Sequence, residues 1–274
     1  MNLDEIRNHW NEWAESYGVS IRATEKSKTR KSLEVDALVR AINSAGFAQD
    51  SRFTVLEAGS GTGHNCLELA QRFPNARIFG FDYIPAMVEN ANFLREQLDL
   101  KNIEYFEIDL LNLEVHRLPL ANFDIVFTNR CLINLNSHSL QNKAVVTLST
   151  LVAKNGSLIL GENPQHKFDL QNQMRLKVGL EERIVPAFNL LIDEDGLVQA
   201  LESNSFTLAE CDDFSSLHDT LLYVLLPTLN EGVIDYDHPI LDIASELSIK
   251  MMSSHPNAFG TFGQNRMYRF NRSA

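Results

Sequence analysis

The sequence predicts an α/β fold, a doubly wound and largely parallel sheet, on three observations. The stretch Phe53-Thr54-Val55-Leu56 is a short apolar, β-branched run of the kind that forms a buried strand. It is followed by an acid and a glycine turn, Glu57-Ala58-Gly59-Ser60-Gly61-Thr62-Gly63, and then by helix-forming residues from His64 to Ala70. Strand, glycine turn and helix make the ligand-binding corner of a doubly wound sheet, where the chain turns sharply and a ligand approaches bare backbone. Finally, strand-like runs that end in a polar residue recur downstream and alternate with segments of helical period.

The elements follow in order. Residues 4–17 read as an amphipathic helix with Trp10, Trp13, Ala14 and Tyr17 on one face and Gly18 at its end. Trp10 and Trp13 are expected to pack this helix onto the sheet. The basic segment Arg22–Lys31 has no core-forming pattern and reads as a loop or lid. A second helix is expected from Ser32 to Ala45. After the glycine turn come the strand Arg77–Phe81 ending at Asp82-Tyr83, the helix Pro85–Leu98 with Met87, Val88, Ala91 and Leu94 apolar, and the strand Ile103–Ile108 ending at Asp109-Leu110. A fourth strand, Phe123–Phe127, ends at Thr128-Asn129-Arg130. A helix capped by Asn136-Ser137 runs to about Val152, Asn155-Gly156 turns the chain, and Ser157–Gly161 is the fifth strand. Further on, Asp193–Ser203 reads as a helix and Phe206–Cys211 as a strand. Thr220–Leu226 is either a strand or a buried helix, residues 227–260 form a helical insertion, and Met267–Phe270 is the preferred antiparallel last strand.

The glycine spacing discriminates between ligands. In a nicotinamide or flavin fingerprint, G-x-G-x-x-G, the third glycine counted from Gly59 would fall at His64. The pattern present, E-x-G-x-G-x-G, resembles motif I of the class I S-adenosylmethionine-dependent methyltransferases, and the ordered motifs over residues 50–162 resemble that family as a set. The resemblance implies a Rossmann-like seven-stranded sheet with an N-terminal helical cap over residues 1–48. It places the binding domain at residues 49–274, with a helical insertion at about 214–262. It implies S-adenosylmethionine as the cofactor, with Glu57 facing its methionine end and the backbone of Gly59, Ser60 and Gly61 against it. Asp82 would take the ribose hydroxyls, Tyr83 would flank the adenosine with Met87 beside it, Asp109 would accept from the adenine amine, and Leu110 would meet the ring. Asn129 and Arg130 would face the transferred methyl, and Tyr17 and the loop after it would close over the ligands.

Composition narrows the acceptor. The 274-residue chain is 44% hydrophobic with a formal net charge of −12, a poor match to nucleic acid or to an anionic membrane. Its three cysteines, Cys66, Cys131 and Cys211, form no C-x-x-C pair, so neither a disulfide framework nor a metal site is expected. A cytoplasmic protein is the simplest expectation. No Asn-Pro-Pro-aromatic tetrad follows the fourth strand, which argues against methylation of nucleobase amines. The acceptor expected is a small metabolite, a sugar or an anionic (phosphorylated or carboxylated) compound. Arg130 at a strand end needs an anionic partner: the cofactor carboxylate, the acceptor or an internal acid. Catalytic candidates are Arg130, Glu162 and His218, with His166 and His238 as further bases. Other readings are transfer of a different group from a modified S-adenosylmethionine, a cofactor-binding protein without turnover, and, less favoured, an NAD-dependent oxidoreductase.

Overall fold

The computed structural model describes residues 1–272. Helix α1 (Leu3–Tyr17) opens with a capping box: the Asn2 side chain accepts from the Glu5 N–H and the Glu5 carboxylate accepts from the Asn2 N–H. It closes at Gly18, φ 52°. Helix α2 (Lys28–Ser44) starts earlier than expected, because the Ser27 hydroxyl caps it by accepting from the Arg30 N–H. The basic segment read as a loop or lid therefore supplies the first turn of a helix, and Arg30 and Lys31 are buried in it. The sequence pattern hid this because their partners are acids, not apolar residues.

The remaining elements are β1 (Thr54–Ala58), α3 (His64–Arg72), β2 (Arg77–Asp82), α4 (Pro85–Gln97), β3 (Ile103–Glu107), β4 (Phe123–Asn129), α5 (His138–Thr150) and β5 (Val152–Glu162). They continue with α6 (Gln165–Lys177), α7 (Glu194–Glu202), β6 (Phe206–Asp212), α8 (Ser216–Thr220), α9 (Leu226–Leu229), α10 (Ile240–Met252) and β7 (Arg266–Arg272). The strands form one sheet in the order β3-β2-β1-β4-β5-β7-β6, parallel except for β7, which runs antiparallel to both neighbours. Strand order reverses beside β1 and β4, so the crevice that gathers ligands opens at their carboxyl ends.

Two apolar layers cover the sheet. Val55, Ile78, Ile125, Phe127 and Ile159 pack with Leu38 and Ile42 of α2 on one face. Leu56, Phe81, Val126 and Leu160 pack with Val145 and Leu148 of α5 on the other. Two local expectations are corrected, and one open between two alternatives is decided. Asn155-Gly156 is not a turn before the strand: β5 begins at Val152, and the register with β4 jumps from Phe123↔Val152 to Ile125↔Ser157. Thr220–Leu226 is helical, passing from α8 through a π-helical turn (Leu221–Leu225) into α9. Trp10 and Trp13 do not pack on the sheet. Trp10 joins Ala14, Ile84 and Met87, and both indoles meet Phe188. Among the described residues no helix is long and apolar enough to cross a membrane.

Candidate active site

The turn after β1 is built by close packing. Gly59 has φ 69°, and a Cβ there would sit 2.4 Å from Cys131 Sγ, so a side chain would push away the segment that follows β4. Gly61 has φ 52° and donates its N–H to Asp82 Oδ2 at 2.8 Å. Asp82 Oδ1 accepts from the Ile84 N–H at 3.0 Å. One carboxylate thus fixes the β1 turn against the end of β2. Burial raises the Asp82 pKa, and the N–H groups of Ile84 and Gly61 oppose that.

Glu57, at the end of β1, is buried. It accepts from Asn65 Nδ2 at 2.7 Å and from Cys66 Sγ at 2.9 Å. Burial pushes its carboxyl up to about 7, against the pull of those two donors. Asp109 caps the short turn after β3, its Oδ1 accepting from the Leu111 N–H and its Oδ2 from Asn112 Nδ2.

These groups line one cavity of about 1450 Å³ over the carboxyl ends of β1, β2 and β4. It brings together Glu57, Gly59, Ser60, Gly61, Asp82, Tyr83, Met87, Asp109, Leu110, Asn129 and Arg130. Tyr17 is not among its lining residues; the residue is 42% exposed and its ring meets Trp13 edge-on. Glu162 and His218 do not line it either. His218 is fully buried between Thr29 Oγ1 (2.9 Å from Nε2) and Asp219 Oδ1 (3.1 Å from Nδ1), tying α8 to α2. His166 is half exposed beside Glu194, and the His238 ring accepts from the Ile240 N–H outside the cavity lining.

Arg130 finds its anion inside the protein. Its Nη1 lies 2.7 Å from Glu25 Oε2, and its Nε lies 2.9 Å from Glu34 Oε1, the latter without the alignment of a hydrogen bond. Arg30 pairs with Glu25 at 2.6 Å, Lys31 with Glu34 at 3.0 Å, and Asn129 Nδ2 donates to Glu34 Oε2 at 3.0 Å. Of the three partners considered from sequence, the internal acid is the one present, and there are two of them.

Glu162 is a positioning residue for the segment after β4. Its Oε1 accepts from the N–H groups of Cys131 and Leu132 at 3.1 and 3.0 Å, while Oε2 is buried without a partner. Burial pushes its carboxyl up to about 8. A carboxyl raised on folding binds its proton more tightly in the folded state, so stability falls as pH rises from the ordinary value of 4.5 through 8. Glu162→Gln keeps the acceptor and removes the titration. Urea unfolding at pH 6 and pH 9 is expected to show a smaller alkaline loss in the variant; parallel losses would refute this role.

Sequence reading missed one wall of the cavity. It comes from Phe168 and Arg175 in α6, from Arg183 and Phe188 after it, and from Tyr223; Asn163 after β5 and Val233 in the helical insertion, at positions read from sequence as facing the site, flank it. Nothing in residues 167–192 marks a binding surface by composition, and the adjacent Glu181-Glu182-Arg183 reads as a solvated charge run. Among the described residues no group of three or more His, Cys, Asp or Glu could hold a metal ion.

Comparison with known proteins agrees with this architecture. The model of a family described as a methyltransferase domain matches residues 49–185. No curated protein matches the chain in sequence. Magnesium protoporphyrin IX methyltransferase (ChlM) from Synechocystis PCC 6803 is similar in structure. With bound SAH it aligns at TM-score 0.61 and 18% identity over 99% of this chain and 100% of that one. With bound SAM the values are 0.60 and 17% over 99% and 97%. The mitomycin 7-O-methyltransferase MmcR aligns at TM-score 0.54 and 13% identity over 92% of this chain and 56% of its own. At such identities the likeness is one of fold. The family match, which spans half of the chain, goes further: this protein belongs to the methyltransferase-domain family and carries the sheet of the class I S-adenosylmethionine-dependent methyltransferases.

Proposed function

We propose that this S-adenosylmethionine-dependent methyltransferase acts on a small-molecule acceptor that enters beside the cofactor under the wall formed by residues 163–188 and 223–236. The observation that carries this is the size and make-up of the cavity. At about 1450 Å³ it exceeds the roughly 300–1,000 Å³ typical of a single small-molecule site. One side carries the glycine turn and the acids of β1, β2 and β3; the other carries aromatic and basic side chains.

The cofactor side fits its ligand on structural grounds. Glu57 offers a buried carboxylate toward an ammonium, and Asp82 keeps lone pairs free for hydroxyls after its two backbone bonds. Ser60 Oγ and Asn163 Oδ1 are buried in the cavity wall without partners. S-adenosylmethionine supplies a methyl activated on a sulfonium, so the chain is left to position the acceptor and exclude water. A hydroxyl acceptor would in addition give up its proton, to a side-chain base or to water. The net charge of −12 and a concave site of this size favour a small metabolite over nucleic acid.

Calorimetry tests the cofactor reading. S-adenosylmethionine and S-adenosylhomocysteine are expected to bind at micromolar Kd, on the order of −8 kcal/mol, and NAD not at all. Absence of binding by both sulfur compounds would overturn it. The Glu57 carboxyl adds a pH signature. A group at about 7 before binding must lose its proton to pair with an ammonium. Affinity for S-adenosylhomocysteine is therefore expected to rise between pH 6 and pH 8, and to lose that dependence in Glu57→Gln.

A further inference from the structure

Every other strongly buried cation in this protein has an acid beside it. Arg30 has Glu25, Lys31 has Glu34, Arg130 has both, and Lys167 has Asp213 at 3.8 Å. Arg175 and Arg183 do not. Arg175 is 5% exposed and Arg183 is half-buried, and both line the cavity. Arg175 donates only to main-chain carbonyls, from Nε to Glu181 O at 2.7 Å and from Nη1 to Tyr223 O. Arg183 Nη2 donates to Gln171 Oε1 at 2.7 Å and Gln264 Oε1 at 2.9 Å, both neutral. Its Nε is buried without a partner. Among the described residues, Nη2 of Arg175 and Nη1 of Arg183 donate to nothing, and neither guanidinium pairs with a carboxylate.

The nearby acids are committed elsewhere. Asp219 Oδ2 accepts from the Ser215 hydroxyl and the Gln264 N–H, and Oδ1 faces the His218 ring. The Glu181 and Glu182 side chains are exposed and pair with neither arginine. Burial, with the Arg183 charge second, holds the Arg175 pKa below its ordinary value, and burial does the same to Arg183. Asp219 is close enough to Arg183 to favour its charge but pairs with neither arginine, and two like charges brought out of water without a paired acid are costly. The arrangement is nonetheless fixed. Arg183 lies over the Tyr223 ring at 3.7 Å and near the Phe168 ring at 4.8 Å, and its main chain is held by Asn172 through Arg183 N–H to Oδ1 and Nδ2 to Arg183 O.

We infer that Arg175 and Arg183 form the anion-binding subsite of the acceptor, recognising a carboxylate or phosphate group with Gln264 at its edge. The forked N–H geometry of guanidinium suits both anions. The two cations lie on α6 and the segment after it, which follow directly from the carboxyl end of β5. They therefore line the acceptor side, opposite the Asp82 turn. This rests on the acceptor reading above, and it moves the anion site from Arg130, which is already paired, to residues with open donors.

The test uses the full chain saturated with S-adenosylhomocysteine and titrated calorimetrically with inorganic phosphate and, separately, propionate. The wild type is expected to bind at least one at millimolar Kd or better, the tighter probe giving the class of acceptor group. Arg183→Gln is expected to weaken that binding at least tenfold. Gln264→Glu, which gives Arg183 an acid of its own, should do the same, and carries the test should Arg183→Gln fail to fold. Affinity for S-adenosylhomocysteine should stay unchanged in both, which separates this subsite from the cofactor reading. No binding of either probe to the wild type at tens of millimolar, or equal binding in the variants, would overturn the inference.

Discussion

Arg130→Ala is expected to lower stability by about 3–5 kcal/mol, because it leaves two buried carboxylates short of the cation between them. The side chains of Glu25 and Glu34 are 0% and 1% exposed. Arg30 and Lys31 each still reach one of them, which bounds the loss. Thermal unfolding should show Tm lower by roughly 10 °C. The acid dependence has a definite sign. Burial alone would raise the Glu25 pKa, but the charges of Arg130 and Arg30 outweigh it and hold the carboxyl down at about 2. A carboxyl lowered on folding contributes stability above its ordinary value of 4.5, and that contribution is lost as pH falls from there through about 2. The variant has less to lose, so the gap between it and the wild type should narrow in acid. Replacing the whole cluster together, Arg30, Lys31 and Arg130 by Met with Glu25 and Glu34 by Gln, should recover much of the loss, since neutral groups of similar shape leave no charge unpaired. A Tm for Arg130→Ala within a degree or two of wild type would show that these pairs contribute little.

Asp82→Ala is expected to weaken S-adenosylhomocysteine binding by roughly 30–100-fold, about 2–3 kcal/mol, as for loss of hydrogen bonds to a charged acceptor. Two effects add. The carboxylate that would receive the ribose hydroxyls is gone, and the Gly61 and Ile84 N–H groups lose their acceptor, so the turn that meets the ligand loosens. Asp82→Asn should fall between the two, because one amide oxygen can serve one N–H while its NH₂ group faces the other. Calorimetry on folded protein reads both. Unchanged affinity in Asp82→Ala would remove Asp82 from the binding site.

The parts of this structure that sequence made legible are those where one local rule decides. Val55-Leu56 before Glu57, and Ile125–Phe127 before Asn129, are apolar runs buried on both faces, and their order fixes the parallel half of the sheet. The glycine turn is legible because only glycine tolerates both φ 69° and contact with Cys131. What stayed hidden depends on partners far apart in the chain. Arg30 and Lys31 look solvated until Glu25, Glu34 and Arg130 are folded around them. Glu162 looks like a catalytic candidate until its bonds to the Cys131 and Leu132 N–H groups are seen. Arg175 and Arg183 look ordinary until the absence of an acid beside them can be read from coordinates.

The pairing of Arg130 with Glu25 and Glu34 bears on how portable the catalytic core is. The stretch that matches the methyltransferase-domain family, residues 49–185, contains Arg130 but neither of its acids. It contains β5 but not β7, which covers β5's outer edge. Excised or grafted onto another scaffold, that stretch would expose a stranded cation and a bare strand edge open to self-association. The shared core is therefore expected to need both flanks to fold, and chimeras should keep the ends native to it.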